Sequence, residues 1–174
     1  MTTTEEKITA IHEARHAVAC YRLNQQHVNR RVISIVPNEC YNGVYSAEET
    51  GNSIKESVVL AAGYAAVKLS GNSEQRAIHG CGSDFDEIEN FAALSVSEAK
   101  TRAIALLNTP ENQSAIDRVS EWLSEHRVIL GDDFDVLMEL SDQEITQAEF
   151  DAYMEYTASA RKPQIRAYLS SAGA

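Results

Sequence analysis

The chain of 174 residues has three cysteines, Cys20, Cys40 and Cys81, and no two of them stand in a Cys-x-x-Cys spacing. That argues against a disulfide framework and against a thiolate zinc site, so reduced thiols are the expectation. No stretch approaches the roughly 18 apolar residues of a membrane-spanning helix. The start, Met1 to Lys7, lacks the basic first region and apolar middle of a secretory signal, which leads to the expectation of a soluble, cytoplasmic chain with no membrane span. Basic residues are scarce, 15 Lys and Arg against 26 Asp and Glu for a net charge of -11, and they form no run beyond the Asn29-Arg30-Arg31 corner. A phosphate backbone is repelled by such a surface, and nucleic acid is not an expected partner. A Gly-x-x-x-x-Gly-Lys-Ser/Thr loop is missing too, so nothing points to ATP hydrolysis by this chain. Neither an internal repeat nor a low-complexity tract is evident.

What is there suits one sizeable core: 44% of the residues are hydrophobic, and a chain of this length is most simply one domain. The pattern predicts a first helix from Thr4, which can cap it ahead of Glu5 and Glu6, to about Asn24. Arg31 to Val36 alternates as a strand that Pro37 stops, Asn42-Gly43 marks a turn, and Val44-Tyr45 returns as a second short strand. Ser53-Ile54-Lys55-Glu56 has the spacing of a capping box and opens an apolar helix, Val58 to Leu69, that ends near Gly71; its alanines and Gly63 permit close packing against the first helix. Gly80-Cys81-Gly82 reads as a break, with Ser83 capping one long helix from Asp84 to Leu107. Pro110 starts the next helix, Glu111 to His126, with Ile116, Val119, Trp122 and Leu123 on its core face. Val128 to Asp132 reads as a connector and Phe134 to Leu140 as a short helix. A last amphipathic helix opens at Thr146 and stops before Pro163, and Ser170 to Ala174 look frayed. The expectation is a mainly α fold with a small β hairpin or sheet, residues 1–140 forming one domain and 141–174 a helical extension packed on it.

The chemistry is concentrated in His12-Glu13-Ala14-Arg15-His16, an HExxH sequence. Two imidazoles four residues apart differ by about 40° around a helix and can reach one metal ion. Glu13 is too close in sequence to share that ion, but is placed to act on a water beside it as the general base of metal-assisted peptide hydrolysis. Ile8, Ile11, Ala14, Val18, Ala19, Cys20 and Leu23 make nearly the whole cylinder apolar, which predicts a buried helix whose ionisable groups need a partner. A catalytic zinc takes three protein ligands and keeps a position open. For the third, His27, His79, His126 and the many carboxylates all remain candidates on composition alone; Asp84 stands out for its place at a helix start after a glycine-rich turn.

These residues resemble a known family. Ala10 to Val18, Arg31 to Pro37 and Gly43-Val44-Tyr45 resemble the start of the zinc metallopeptidase domain of FtsH-type AAA proteases. Val59 to Ala66 is similar to the helix that follows that family's sheet, and Gly80-Cys81-Gly82-Ser83-Asp84 to its Gly-Ala-x-Asn-Asp segment, whose last aspartate is the third zinc ligand. Ser97 to Met138 resembles the family's C-terminal helices, so the likeness covers about residues 4 to 140. It implies a helical zincin fold and a Zn²⁺ site made by His12, His16 and Asp84. Glu13 would be the catalytic base of a zinc metalloendopeptidase acting on extended or unfolded polypeptides, and a separate ATPase is a candidate partner. The family's six-membered ring is not carried over, and the oligomeric state is left unassigned.

Three departures accompany the likeness. The family usually has glycine where this chain has Arg15, the segment between Asp84 and Ser97 is shorter, and the peptidase segment is expected to stand without the ATPase module and membrane anchor. Arg15 is expected either to narrow the cleft or bind a substrate carboxylate, or else to pair with an acid at the surface. Substrate is expected to add alongside Val32 to Val36, with Val32, Ser34 and Tyr45 as contacts, and Tyr41 and Tyr45 near the strand end. Two rival readings stand beside the enzyme: a peptidase-fold scaffold with little or no catalysis, and an unrelated helical interaction domain carrying HExxH by chance.

Overall fold

A computed structural model describes residues 4–23, 32–36, 44–46, 53–69, 82–91 and 93–172. In chain order these form α1 (Thr4–Arg22), β1 (Val32–Ser34), β2 (Val44–Ser46), α2 (Ser53–Leu69), α3 (Gly82–Phe91), α4 (Val96–Leu107), α5 (Pro110–His126), β3 (Val128–Leu130), α6 (Gly131–Ser141) and α7 (Gln147–Ala172). The fold is mainly helical with one small antiparallel sheet, and no described helix is long and apolar enough to cross a membrane.

Small side chains set the central contact. Ala10, Ala14, Ala17 and Ala19 of α1 and Ala61, Ala62 and Ala65 of α2 are all fully buried, and alanines let two helix backbones approach closely, as ridges of larger residues do not. On its other flank α1 packs against α5, whose Ile116, Val119 and Leu123 are buried in the same core as Phe134, Leu137 and Met138 of α6. The C-terminal end of α1 is tied by charge: the Lys55 ammonium donates to the Leu23 carbonyl at 2.6 Å, and the Arg22 guanidinium donates to Asp142 at 2.6 Å and to Asn112 at 2.7 Å. A cation at a helix C-terminus meets the negative end of the dipole.

Three sequence expectations are corrected. The long helix predicted from Asp84 to Leu107 is two, α3 and α4, because Ser95 caps α4: its side chain accepts from the Glu98 amide at 3.2 Å while Glu98 accepts from the Ser95 amide. Ser95 and Glu98 carry the same Ser-x-x-Glu signature as Ser53 and Glu56. Val128 to Leu130 is a strand rather than a connector. Arg127 ends α5 with a left-handed backbone (φ 68°), so the chain leaves the helix directly into β3, which pairs antiparallel with β1 as Val32↔Leu130, Ile33↔Ile129 and Ser34↔Val128. The last helix does not stop at Pro163 but runs through it to Ala172. Proline frees the carbonyl four residues back, and Ser159 and Pro163 both lie on the exposed side of the helix, where a freed carbonyl is open to solvent.

The strand order β2-β1-β3 makes β1 the central strand, with β2 on its other edge in the register Val32↔Ser46, Ile33↔Tyr45 and Ser34↔Val44. At the opposite end of the chain, Phe150 of α7 is buried in the main core. The Trp122 ring meets the Phe150 ring edge-on at 5.5 Å. Arg161 of α7 pairs with the buried Asp133 at 2.8 Å, which fixes the helix partway along its length.

Candidate metal centre

His12 and His16 lie one turn apart on the face of α1 that meets α2. Their Nε2 atoms are 3.0 Å apart, and the Asp84 Oδ2 of α3 is 3.7 Å from the first and 3.6 Å from the second. Ligands around a tetrahedral zinc ion at the usual bond lengths stand about 3.3 Å from one another, so the triangle has the right size. Among the described residues these three form the group able to hold a metal ion.

The outer side of each ring is fixed by α2. His16 Nδ1 lies 2.7 Å from the Val59 carbonyl, and the Gly63 backbone hydrogen-bonds the His12 ring. A carbonyl can only accept, so Nδ1 of His16 carries a proton and its Nε2 lone pair faces inward, the arrangement by which metal-binding histidines are usually oriented. Val59 and Gly63 are four residues apart, matching the spacing of the histidines they hold. Gly63 must also lack a side chain. A Cβ there would stand 2.3 Å from His12 Cε1, 2.6 Å from His16 Nε2 and 2.8 Å from His12 Nδ1.

Converging lone pairs repel unless a cation joins them. Without metal, a proton does so unequally. Burial, with the charge of His16 beside it, pushes the His12 imidazolium down to about 3. Burial also opposes charge on His16, but hydrogen bonding and attraction from Asp84, aided by Glu13 and the Val59 carbonyl, raise it to about 9. A divalent ion has to displace that proton. Two imidazoles and one carboxylate are a donor set suited to zinc and to other first-row divalent metals.

Glu13 is only 6% exposed and stays outside the converging group, on the neighbouring face of α1. Burial pushes its carboxyl up to about 7, the attraction of His16 opposing and the repulsion of Asp84 adding to the shift. A carboxyl with that value exchanges protons near neutrality, which suits a general base.

The remaining sequence candidates fall elsewhere. Arg15 neither lines a cleft nor sits at the surface: it is 3% exposed, and its Nη1 donates to the Ala65 carbonyl near the C-terminal end of α2. Desolvation lowers its guanidinium to about 10, and the acid that opposes this is Asp117 of α5 rather than a member of the centre. Lying on the α2 side of α1, it serves packing. Ser34 is fully buried, its hydroxyl accepting from the Val36 amide at 3.1 Å, so it is not open to a substrate. Val32 is in the same central strand, and both edges of that strand are already paired. This corrects the expectation that a peptide adds alongside Val32 to Val36. Tyr45 has its backbone on β2 opposite Ile33; its side chain, with Tyr41, His27 and His79, lies outside the described residues. His126 stacks on Trp122 at 4.1 Å, on α5, and is no part of the triangle. Sequence reasoning gave Gly63 a packing role but missed the Val59 and Gly63 carbonyls, for which the only signal was their matching four-residue spacing. No family model matches the chain, and no curated protein matches it.

Proposed function

We propose that the protein is a zinc-dependent metallopeptidase of the FtsH-type peptidase fold, hydrolysing peptide bonds in extended or unfolded polypeptides. The observation that supports this most directly is the approach of His12, His16 and Asp84 from α1 and α3, with the outer edges of both rings pinned by α2 carbonyls. His12, His16 and Asp84 would hold the ion. A dication there supplies Lewis acidity, polarising a carbonyl oxygen and easing ionisation of water. Glu13 does the proton work: it accepts a proton from water as the oxygen bonds to the scissile carbonyl carbon, then gives that proton to the amine nitrogen as the C–N bond breaks. Because both edges of β1 are filled, an extended substrate would pair with the outer edge of β2, where main-chain hydrogen bonds accept many sequences.

Metal content and cleavage of a denatured, reduced protein, each measured with and without chelator, test the reading. Glu13→Gln keeps the volume but cannot take the proton, and is expected to retain its metal while turnover falls about 10²–10⁴-fold. Protein prepared with ample zinc yet free of metal would overturn the assignment. Bound metal with no cleavage by the unaltered chain would favour the scaffold, and equal turnover in the Gln variant would remove Glu13 from the mechanism.

A further inference from the structure

Lys100 of α4 sets its ammonium nitrogen 4.2 Å from the ring centre of Tyr64 and 4.2 Å from that of Phe85. The two rings are 5.8 Å apart, tilted by 58°, and Ile11 and Ile104 pack against Tyr64. Three of these residues are chain neighbours of the metal centre: Ile11 precedes His12, Tyr64 follows Gly63, and Phe85 follows Asp84. Each helix that builds the centre therefore sends an adjoining side chain into one cluster, and Lys100 closes it from a fourth helix. Among the described side chains of α3 the apolar ones turned inward are Phe85, half-buried, and Ile88, fully buried, while Asp86, Glu87, Glu89 and Asn90 are exposed. The ring beneath Lys100 is thus one of the contacts that dock the helix carrying Asp84. A cation against a partly buried aromatic face is attracted by the ring quadrupole, more strongly than at an exposed site.

We propose that Lys100 is a positioning residue. By drawing Tyr64 and Phe85 together it fixes the first turn of α3 on α2, and so holds the Asp84 carboxylate within reach of an ion shared with His12 and His16. The proposal rests on the metal reading of the centre. It predicts a remote residue, without contact to the ion, that sets affinity for it.

Titration of the apo protein with Co²⁺, followed by visible absorption, tests this. Lys100→Met keeps the aliphatic stem and removes the charge; Co²⁺ binding is expected to weaken about tenfold, and Lys100→Arg, which also stacks on rings, to restore it to within about twofold. Phe85→Leu removes the ring face while keeping an apolar anchor, and is expected to weaken binding similarly. In an Asp84→Ala background, where two histidines remain, Lys100→Met should cost nothing further, since its effect passes through Asp84. Unchanged affinity in Lys100→Met would overturn the proposal, whatever Phe85→Leu does. So would an equal loss with and without Asp84, the sign of general destabilisation. An unaltered protein that takes up no Co²⁺ overturns the metal reading and the proposal together; one that binds it, with Lys100→Met binding as well, overturns the proposal alone.

Discussion

At the scale of single residues the centre is governed by one missing side chain and two backbone carbonyls. A methyl group at Gly63 would overlap both histidine rings, and each ring is held on its far side by α2, so neither can swing away without losing a hydrogen bond. Helix propensity favours alanine over glycine by about 1 kcal/mol, whereas overpacking costs about 1–3 kcal/mol. Gly63→Ala is expected to be near neutral or destabilising by up to about 2 kcal/mol in denaturant unfolding, yet to weaken metal binding at least about tenfold, measured by titration. A variant with native affinity would show that the rings have room the distances deny. The His12, Glu13 and His16 pattern was legible because their helical spacing is local. Asp84 was less so: many carboxylates were equivalent on composition, its place at a helix start after a glycine-rich turn made it a candidate, and the resemblance made it the leading one, because its approach depends on how α3 docks. The direction of Arg15 was equally hidden, since a position between the site face and the packed face of α1 is decided by where α2 lies.

At the scale of elements, α7 is secured to α6 by an ion pair whose acid is reluctant to ionise. Burial raises the Asp133 carboxyl above its ordinary value of 3.8, Arg161 opposing the shift. Because the folded form then holds the proton more tightly than the unfolded chain, this group's contribution to stability is greatest at low pH and falls as pH rises from about 3.8 through the raised value. Asp133→Asn lacks that titration. Comparing the unaltered protein with the Asn variant by urea unfolding across pH 3 to 7, stability of the unaltered protein relative to the variant is expected to decline as pH increases; a flat difference would show that Asp133 titrates normally. Elements with a long period were readable, and so were β1 and β2, which Pro37 and the Asn42-Gly43 turn mark off, but β3 was not. β3 spans too few residues to display alternation, and its identity comes from pairing with β1. The break before α4 was legible in Ser95 and Glu98, but the apolar pattern continuing on both sides concealed it.

For the whole molecule, the core runs from α1 to Phe150 of α7 without an interruption at residue 140. Ending the chain after Glu144 would uncover the pocket filled by Phe150 and leave Asp133 without Arg161. A loss of about 2–5 kcal/mol in unfolding free energy is expected, measured by urea denaturation; unchanged stability would make α7 an appendage. The mainly α composition with a small sheet could be read from sequence because helices of this length repeat their apolar spacing several times. The strand order could not, because it is set by a contact between segments at opposite ends of the chain.

That order separates folding from selectivity. On the proposed peptidase reading, with β1 flanked on both sides, alterations at Val32 or Ser34 would loosen the sheet without retuning which polypeptides are chosen. Discrimination would then fall to the outer edge of β2, which could diversify while the middle of the sheet is held constant by its own neighbours.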